Sequence, residues 1–169
     1  QKGIHTIRLV NRANPAISAQ VTLTSKTPAP ILLVDDERFY NYEERYQQAL
    51  DEAALGYDTF VATNERSPSL ETLYKYPTVI WFTGYDWFQP VSEVEQSQLA
   101  SYLDTGGRLL LSSQDLLDLH GANPFVQTYL GVQRPLWTIT ATDVAPIVGS
   151  PLGQDIGPFA LDYPIPNWS

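Results

Sequence analysis

The sequence predicts an α/β fold: a three-layer sandwich with a mostly parallel, flavodoxin-like sheet, preceded by a short β-hairpin. Residues 31–34 are all apolar and are followed by the three acids Asp35, Asp36 and Glu37, a pattern typical of a strand buried on both faces of a parallel sheet. Strand-like and helix-like segments alternate from there onward. Because crossovers are right-handed, we expect a doubly wound sheet with helices on both faces.

The first part of the chain has a different pattern. Residues 4–11 and 16–25 are strand-like, and the Asn- and Pro-containing turn between them predicts a β-hairpin. We interpret it either as the last strands of an immunoglobulin-like sandwich or as an edge hairpin of the main domain. Residues 26–30 contain two prolines, which favour extended backbone and predict a stiff linker. The predicted domains are therefore 1–27, the hairpin, which either ends a preceding β-sandwich domain or forms an edge of the main domain, and 28–169, the α/β domain.

Four strands are predicted in the α/β domain, each bounded by turn-forming residues. They occupy residues 31–34, 57–62, 78–82 and 108–111. Further extended segments are predicted at residues 132–142 and 144–148, and the Gly- and Pro-rich tail is predicted to be loop. We expect this domain to be truncated at its C-terminus, because the sequence stops just after a Pro-rich stretch.

Helices are predicted between these strands. Residues 40–55 have apolar side chains at helical spacing and are followed by Gly56, a predicted C-cap. Residues 91–103 begin after Pro90 and stop before Gly106. Shorter helical pieces are predicted at residues 69–74, 116–120 and 124–130.

Composition and charge exclude several classes of function. The formal net charge of -9 argues against binding to nucleic acid or to an anionic membrane, which requires basic patches. The chain has no cysteine, so disulfides, thiolate catalysis and cysteine-ligated metals are excluded. No apolar run approaches the length of a membrane span, and no cofactor is predicted. Because the sequence begins at Gln1 without Met, we expect it to be a piece of a longer polypeptide.

Polar and aromatic side chains follow three predicted strands at the edge where open α/β sheets bind ligands. The candidate ligand-binding residues are Asp35, Asp36, Thr83, Tyr85, Asp86, Trp87, Ser113, Gln114 and Asp115. This mixture of groups suits a sugar, a small polar ligand or a hard cation such as calcium, but no loop spaces its acids like a dedicated calcium loop, so no metal site is predicted. The structural alternative is that the polar groups cap the next helices and the aromatic rings cover the core.

Four residues are candidates for catalysis. Ser112 or Ser113 would act as a nucleophile if a base accepted its proton. Asp86 would pair with another acid at the sheet edge, as the two carboxyl groups of glycosidases do. His120 stands at a predicted helix C-terminus, where the helix dipole favours the protonated ring, so its role is either structural or in proton transfer.

Several segments together resemble a known family. They are residues 31–36, 55–57, 70–76, 79–84, 102–109 and 112–115. They resemble class I glutamine amidotransferase-like domains, in the divergent branch found as accessory modules of large exported bacterial proteins, often multidomain peptidases or glycoside-processing proteins. The resemblance covers roughly residues 30–150 and implies a flavodoxin-like fold and an extracellular or cell-surface location.

The groups that carry the family's glutaminase chemistry are missing from this chain. Catalytic members have a cysteine on a sharp turn between strand and helix, paired with a later histidine. Here the corresponding turn carries Ser112, Ser113 and Gln114. The two histidines are His5 and His120, and neither matches the family's histidine, which comes from a distant loop. The resemblance therefore implies the family's scaffold without its glutaminase activity.

Two functional hypotheses follow from the sequence. The leading one is a non-catalytic accessory or ligand-binding module of a larger secreted or cell-surface bacterial protein, such as a peptidase. Its expected partners are neighbouring domains of the parent chain and a carbohydrate or small polar ligand. The alternative is a hydrolase that uses Ser112, Ser113 or an Asp pair at the C-terminal edge of the sheet. Exposed side chains at Tyr85, Trp87 and Phe88 would favour binding, whereas buried ones would favour a structural role.

Overall fold

The structure is a computed structural model that describes residues 2–63, 66–132, 142–150 and 156–160. The chain divides into two units, Gln1–Gln133 and Arg134–Ser169. The hairpin and the α/β sheet both belong to the first unit. The predicted domain boundary after residue 27 stays a prediction.

The described part of the first unit contains six strands and four α-helices. The strands are β1 (Lys2–Val10), β2 (Ser18–Lys26), β3 (Ile31–Asp35), β4 (Tyr57–Val61), β5 (Thr78–Phe82) and β6 (Arg108–Ser112). The helices are α1 (Glu43–Glu52), α2 (Leu70–Leu73), α3 (Glu93–Asp104) and α4 (Leu116–His120), followed by a π-helical turn at Val126–Leu130. Within the described ranges, none of these helices is long and apolar enough to cross a membrane.

Strands β3 to β6 form one parallel sheet in the order β4-β3-β5-β6. Counted along the α/β segment this order is 2-1-3-4, the beginning of the flavodoxin-like order. The predicted α/β fold with a parallel sheet and a preceding hairpin is confirmed. The chain leaves β3 toward β4 on one side and returns to β5 on the other, so the connection changes direction between the C-terminal ends of β3 and β5.

Helices cover the sheet on both faces. Val34 and Trp81 lie in a buried cluster with residues of α2, α3 and α4. Leu33 and Phe82 lie in a second cluster, in which the ring of Phe82 stacks on Tyr46 of α1 with the centroids 4.1 Å apart. Because side chains alternate between the faces of a strand, two covering layers require apolar residues at consecutive positions. The continuous apolar runs of β3 and β5 satisfy this requirement.

Helix α1 is shorter at both ends than the predicted 40–55. At its C-terminus the predicted cap at Gly56 is wrong, because Ala54 takes the left-handed conformation with a φ of 53°. The N–H of Leu55 then donates to the carbonyl of Leu50 at 2.9 Å, which closes the helix in a Schellman-type turn. The helix has therefore already ended when the chain reaches the glycine.

Tyr102 fixes the turn between α3 and β6. Its hydroxyl donates to the carbonyl oxygen of Tyr76 at 3.0 Å and accepts from the backbone N–H of Arg108 at 3.3 Å. Its ring is buried and lies against Gly107, where an added Cβ would overlap the ring atoms. Glycine at position 107 is thus required by the close approach of an aromatic side chain.

The hairpin confirms the two predicted N-terminal strands. β1 and β2 pair antiparallel, with Lys2 opposite Lys26. The described side chains of residues 6–23 are exposed on both faces, including the directly paired Ile7 and Val21. The assignment of this hairpin to a preceding sandwich domain stays a prediction.

The second unit contains one described strand pair. β7 (Asp143–Val144) pairs antiparallel with β8 (Phe159–Ala160), and the side chains of both strands are exposed. The extended segment predicted at 144–148 is therefore wrong beyond its first residue, and the tail predicted to be loop contains β8. Two-residue strands are too short to leave a periodic pattern in the sequence. Residues 133–141 of the predicted segment 132–142 lie outside the described residues.

Replacing Gly107 by alanine is expected to lower the free energy of unfolding by about 1–3 kcal/mol, because the Tyr102 ring or the backbone must move. Urea denaturation followed by circular dichroism measures the change. Gly56→Ala is the matched control, since its Cβ would meet Pro30 at an ordinary 3.5 Å. Equal losses in the two variants would contradict a steric requirement at position 107.

Candidate functional site

The C-terminal edge of the parallel sheet is the expected ligand-binding edge, because the connection changes direction between β3 and β5. The loops that follow β3, β4 and β5 meet there. They bring together the candidates Asp35, Asp36, Tyr85, Asp86 and Trp87, together with side chains that the sequence did not single out.

Asp36 lies at the junction between the core and this edge. Its Oδ2 accepts a hydrogen bond from the indole N–H of Trp81 at 3.0 Å. Burial raises the pKa of Asp36 to about 7, and the neighbouring carboxyl groups of Glu95 and Asp86 contribute to the rise, whereas the Trp81 hydrogen bond and the charge of Arg38 oppose it. Asp36 therefore exchanges its proton near neutral pH.

Asp35 and Glu37 order the loop that follows β3. Asp35 Oδ1 accepts from the backbone N–H of Glu37 at 3.1 Å, and the Glu37 carboxylate accepts from the N–H of Tyr42 at 2.8 Å. The second bond holds residues 38–42 in a loop, so α1 begins at Glu43 rather than at residue 40. Burial raises the pKa of both carboxyl groups, that of Glu37 to about 7.

Asp86 is the buried anchor of the loop after β5. Only 2% of it is exposed, and its Oδ1 accepts from the backbone N–H groups of Phe88 at 2.9 Å and Gln89 at 3.3 Å. Its Oδ2 accepts from Nε of Arg38 at 3.2 Å in an ion pair. Asp86 thus shapes its own loop and ties it to the loop after β3.

Six aromatic side chains from these two loops form what we call the aromatic surface. They are Phe39, Tyr40, Tyr42, Tyr85, Trp87 and Phe88. Phe39 and Trp87 stack with their centroids 4.8 Å apart, and Tyr85 meets Trp87 edge-on at 4.9 Å. The exposed fractions are 48% for Phe39, 44% for Trp87 and 62% for Phe88. Trp87 and Phe88 therefore face solvent instead of covering the core, contrary to the structural alternative, whereas Tyr85 is half-buried.

Thr83 and Ser113 connect the ends of β5 and β6. The hydroxyl of Thr83, which is fully buried, donates to Ser113 Oγ at 2.8 Å, and the Thr83 N–H donates to the carbonyl of Ser112 at 3.1 Å. Among the described residues, no hydrogen bond joins the Ser113 hydroxyl to a histidine or a carboxylate that would accept its proton. Ser112 and Gln114 are exposed at the end of β6. Neither Ser112 nor Ser113 caps α4.

Asp115 and His120 stand at opposite ends of α4. Asp115 occupies the N-cap position without a side-chain capping hydrogen bond, so it does not cap α4 as the structural alternative would have it. Burial raises the pKa of Asp115, as do the charges of Asp118 and Asp86. His120 is the last residue of α4, as predicted, and its Nδ1 lies 3.2 Å from Nδ2 of Asn123. His5 lies in β1, in the hairpin.

A cavity of about 330 Å³ lies at the same edge. The loops after β3 and β4 contribute Asp36, Arg38, Thr63, Arg66 and Ser67. The segment after β5 and the start of α3 contribute Gln89, Ser92, Val94 and Glu95. Asp36 is the one predicted site residue in its wall.

Glu95 is fixed in this wall by the start of α3. Its Oε2 accepts from the backbone N–H and the hydroxyl of Ser92, both at 2.7 Å, and the Ser92 hydroxyl accepts from the N–H of Glu95. This reciprocal capping box leaves Glu95 only 7% exposed. The spacing of Ser92 and Glu95 after a proline is visible in the sequence, but on its own it indicates only a helix start.

No metal centre stands out at this edge. Among the described residues, no group of three or more His, Cys, Asp or Glu side chains is placed to hold a metal ion. The acids here bind backbone N–H groups, the Trp81 indole and an arginine instead.

Comparison of the chain with protein-family models, with curated protein sequences and with solved structures gave no match. The resemblance to glutamine amidotransferase-like domains therefore stays a prediction, carried by the sequence segments alone.

The raised pKa of Asp36 predicts a pH-dependent stability. Folded Asp36 holds its proton up to about pH 7, whereas an ordinary aspartate loses it near 3.8. Between these values the folded state binds more protons, so the free energy of unfolding falls as the pH rises. Asp36→Asn removes this pH-dependent fall in stability, because the amide does not ionise, and it keeps an oxygen that can accept the Trp81 hydrogen bond. We expect the variant to gain about 2 kcal/mol over the wild type at pH 8 and little at pH 4.5.

Urea denaturation at the two pH values tests this prediction. Glu44→Gln, at an exposed position of α1, is the control and should follow the wild type at both. A constant difference between Asp36→Asn and the wild type across the pH range would show that Asp36 does not titrate in this way.

Proposed function

We propose that this chain is a non-catalytic, carbohydrate-binding accessory module of a larger secreted or cell-surface bacterial protein, such as a peptidase, and that the aromatic surface is its binding face. The observation that carries the proposal is the exposure of Phe39, Trp87 and Phe88 in one contiguous group. A larger exposed apolar patch on a soluble domain usually marks an interaction site. The resemblance of the sequence to accessory domains of exported proteins supports the proposed secreted or cell-surface location.

The chemistry of the aromatic surface suits a sugar ring. The face of an aromatic ring is electronegative, and the C–H bonds on one side of a pyranose carry partial positive charge, so the two surfaces attract each other. Burial of apolar area on both partners adds a favourable hydrophobic contribution. The hydroxyl groups at the rim of the sugar then need hydrogen-bonding partners, which the polar groups beside the rings supply.

The loops that carry the rings are held in place before any ligand arrives. Asp86 binds the backbone at Phe88 and the side chain of Arg38, and Glu37 binds the backbone at Tyr42. Because each ring-bearing loop has its own carboxylate anchor, little ordering is required when a ligand binds. A preorganised surface loses less entropy on binding, which favours a specific role for these rings.

The environment of Ser113 supports a non-catalytic module. Its hydroxyl oxygen accepts a hydrogen bond from the Thr83 hydroxyl and, among the described residues, no base is placed to activate it. Without an activated serine to attack a carbonyl carbon, no oxyanion intermediate would form on a substrate. A second candidate function is a glycoside hydrolase that uses two acids at the sheet edge. The observation that favours it is the presence of two neighbouring carboxyl groups, those of Asp36 and Glu95, in the wall of one cavity.

We expect Trp87→Ala to weaken binding to a neutral polysaccharide at least tenfold, because it removes the ring that contacts Phe39, Tyr85 and Phe88. Depletion of the protein from solution by insoluble cellulose, chitin or starch measures binding. Tyr74→Ala removes a half-exposed ring at the end of α2 and is the matched control, for which binding should not change.

Two results would contradict this proposal. Binding of the wild type to none of the three polysaccharides would leave the aromatic surface as a docking face for a neighbouring domain. Release of reducing ends from a bound oligosaccharide, abolished by Asp36→Asn, would replace the binding module by the hydrolase.

A further inference from the structure

The cavity and the aromatic surface are neighbours that share a side chain. Arg38 lies in the cavity wall, and its guanidinium carbon also lies 5.9 Å from the centroid of the Phe88 ring. Gln89, the residue after Phe88, lines the cavity as well. A ligand in the cavity is therefore adjacent to the rings, and a larger molecule can contact both at once.

Two carboxyl groups in the cavity wall are oriented by the protein through one oxygen each. Trp81 engages Oδ2 of Asp36, and Ser92 engages Oε2 of Glu95. Among the described residues, the hydrogen bonds of these two side chains leave Oδ1 of Asp36 and Oε1 of Glu95 to a ligand. Hydrogen-bonding groups held in this way recognise hydroxyl groups at defined positions, since a hydroxyl both donates and accepts.

The charges of the wall are mixed. The guanidinium groups of Arg38 and Arg66 supply donors, the carboxyl groups of Asp36 and Glu95 supply acceptors, and serine and threonine hydroxyls supply both. An ion of either sign would meet at least one like charge in so small a space. A neutral ligand with adjacent hydroxyl groups avoids this electrostatic repulsion. Each hydroxyl can donate to a carboxyl group and accept from a guanidinium group of the wall.

The volume of the cavity limits how many sugar rings it can hold. A volume of about 330 Å³ is at the lower end for small-molecule sites and suits a single sugar ring. The aromatic surface next to it is an open array of rings, which suits several sugar rings in succession.

We propose that the cavity binds the terminal ring of a neutral oligosaccharide whose following rings lie on the aromatic surface. This inference rests on the proposed carbohydrate-binding function and adds the recognition of a chain end. The cavity and the surface would then act as adjacent subsites of one binding site.

The test uses the full 169-residue chain and neutral hexasaccharides fixed to a sensor through their reducing ends: maltohexaose, cellohexaose and chitohexaose. Ser67→Phe fills the cavity, and Arg66→Gln removes a donor at an exposed position of its wall. Ser97→Phe places the same ring on the exposed side of α3, outside the cavity, as the matched control. Trp87→Ala reports on the aromatic surface by itself.

The expected result is a loss of affinity of at least tenfold in Ser67→Phe, Arg66→Gln and Trp87→Ala, with Ser97→Phe unchanged. Wild-type affinity in both cavity variants, together with a loss in Trp87→Ala, would overturn the cavity inference and leave the proposed function standing. No binding by the wild type to any carbohydrate would remove the proposed function and this inference together.

Discussion

The burial of β3 and β5 between two layers of helices is the constraint on which the rest of the structure depends. Val34 and Trp81 have no exposed area, so polar side chains are confined to the positions where these strands end. Asp36 and Asp86 follow those ends, and the Trp81 indole links the first of them to the core. The parallel direction of the strands then puts both acids at one edge. Polar side chains are therefore concentrated at this edge, because the apolar runs of the two strands are buried in the core.

The acids of this edge have different roles because their surroundings differ. Asp86 is buried but accepts three hydrogen bonds, one of them from Arg38, so its charge is compensated and it can shape a loop. Asp36 has the Trp81 indole as its hydrogen-bond donor and other acids nearby, so burial dominates and its proton is held to about pH 7. Glu95 is held by the first turn of a helix. One edge therefore combines a structural anchor, a titrating group and a fixed acceptor.

The sequence is sufficient to predict the hairpin, the four parallel strands and the order of the helices between them. Those predictions depend on local patterns: continuous apolar runs for β3 and β5, and Pro90 before α3. The site itself depends on contacts between distant residues, such as Phe39 with Trp87 and Arg38 with Asp86, and no local pattern records them. Thr63, Arg66 and Ser67 were missed for a related reason, because β4 ends in an ordinary polar loop. The predicted helix start failed because a side chain, Glu37, captured the N–H of Tyr42.

The pairing of Lys2 with Lys26 places both ends of the hairpin side by side, at the same end of the ladder. Tension applied between Lys2 and the α/β unit would load the inter-strand hydrogen bonds one pair after another rather than all together. An antiparallel ladder pulled in this direction separates at low force. Fully drawn out, Lys2–Lys26 would add a spacer of roughly 80 Å without disturbing the parallel sheet. The hairpin is thus a segment that can lengthen while the parallel sheet stays intact.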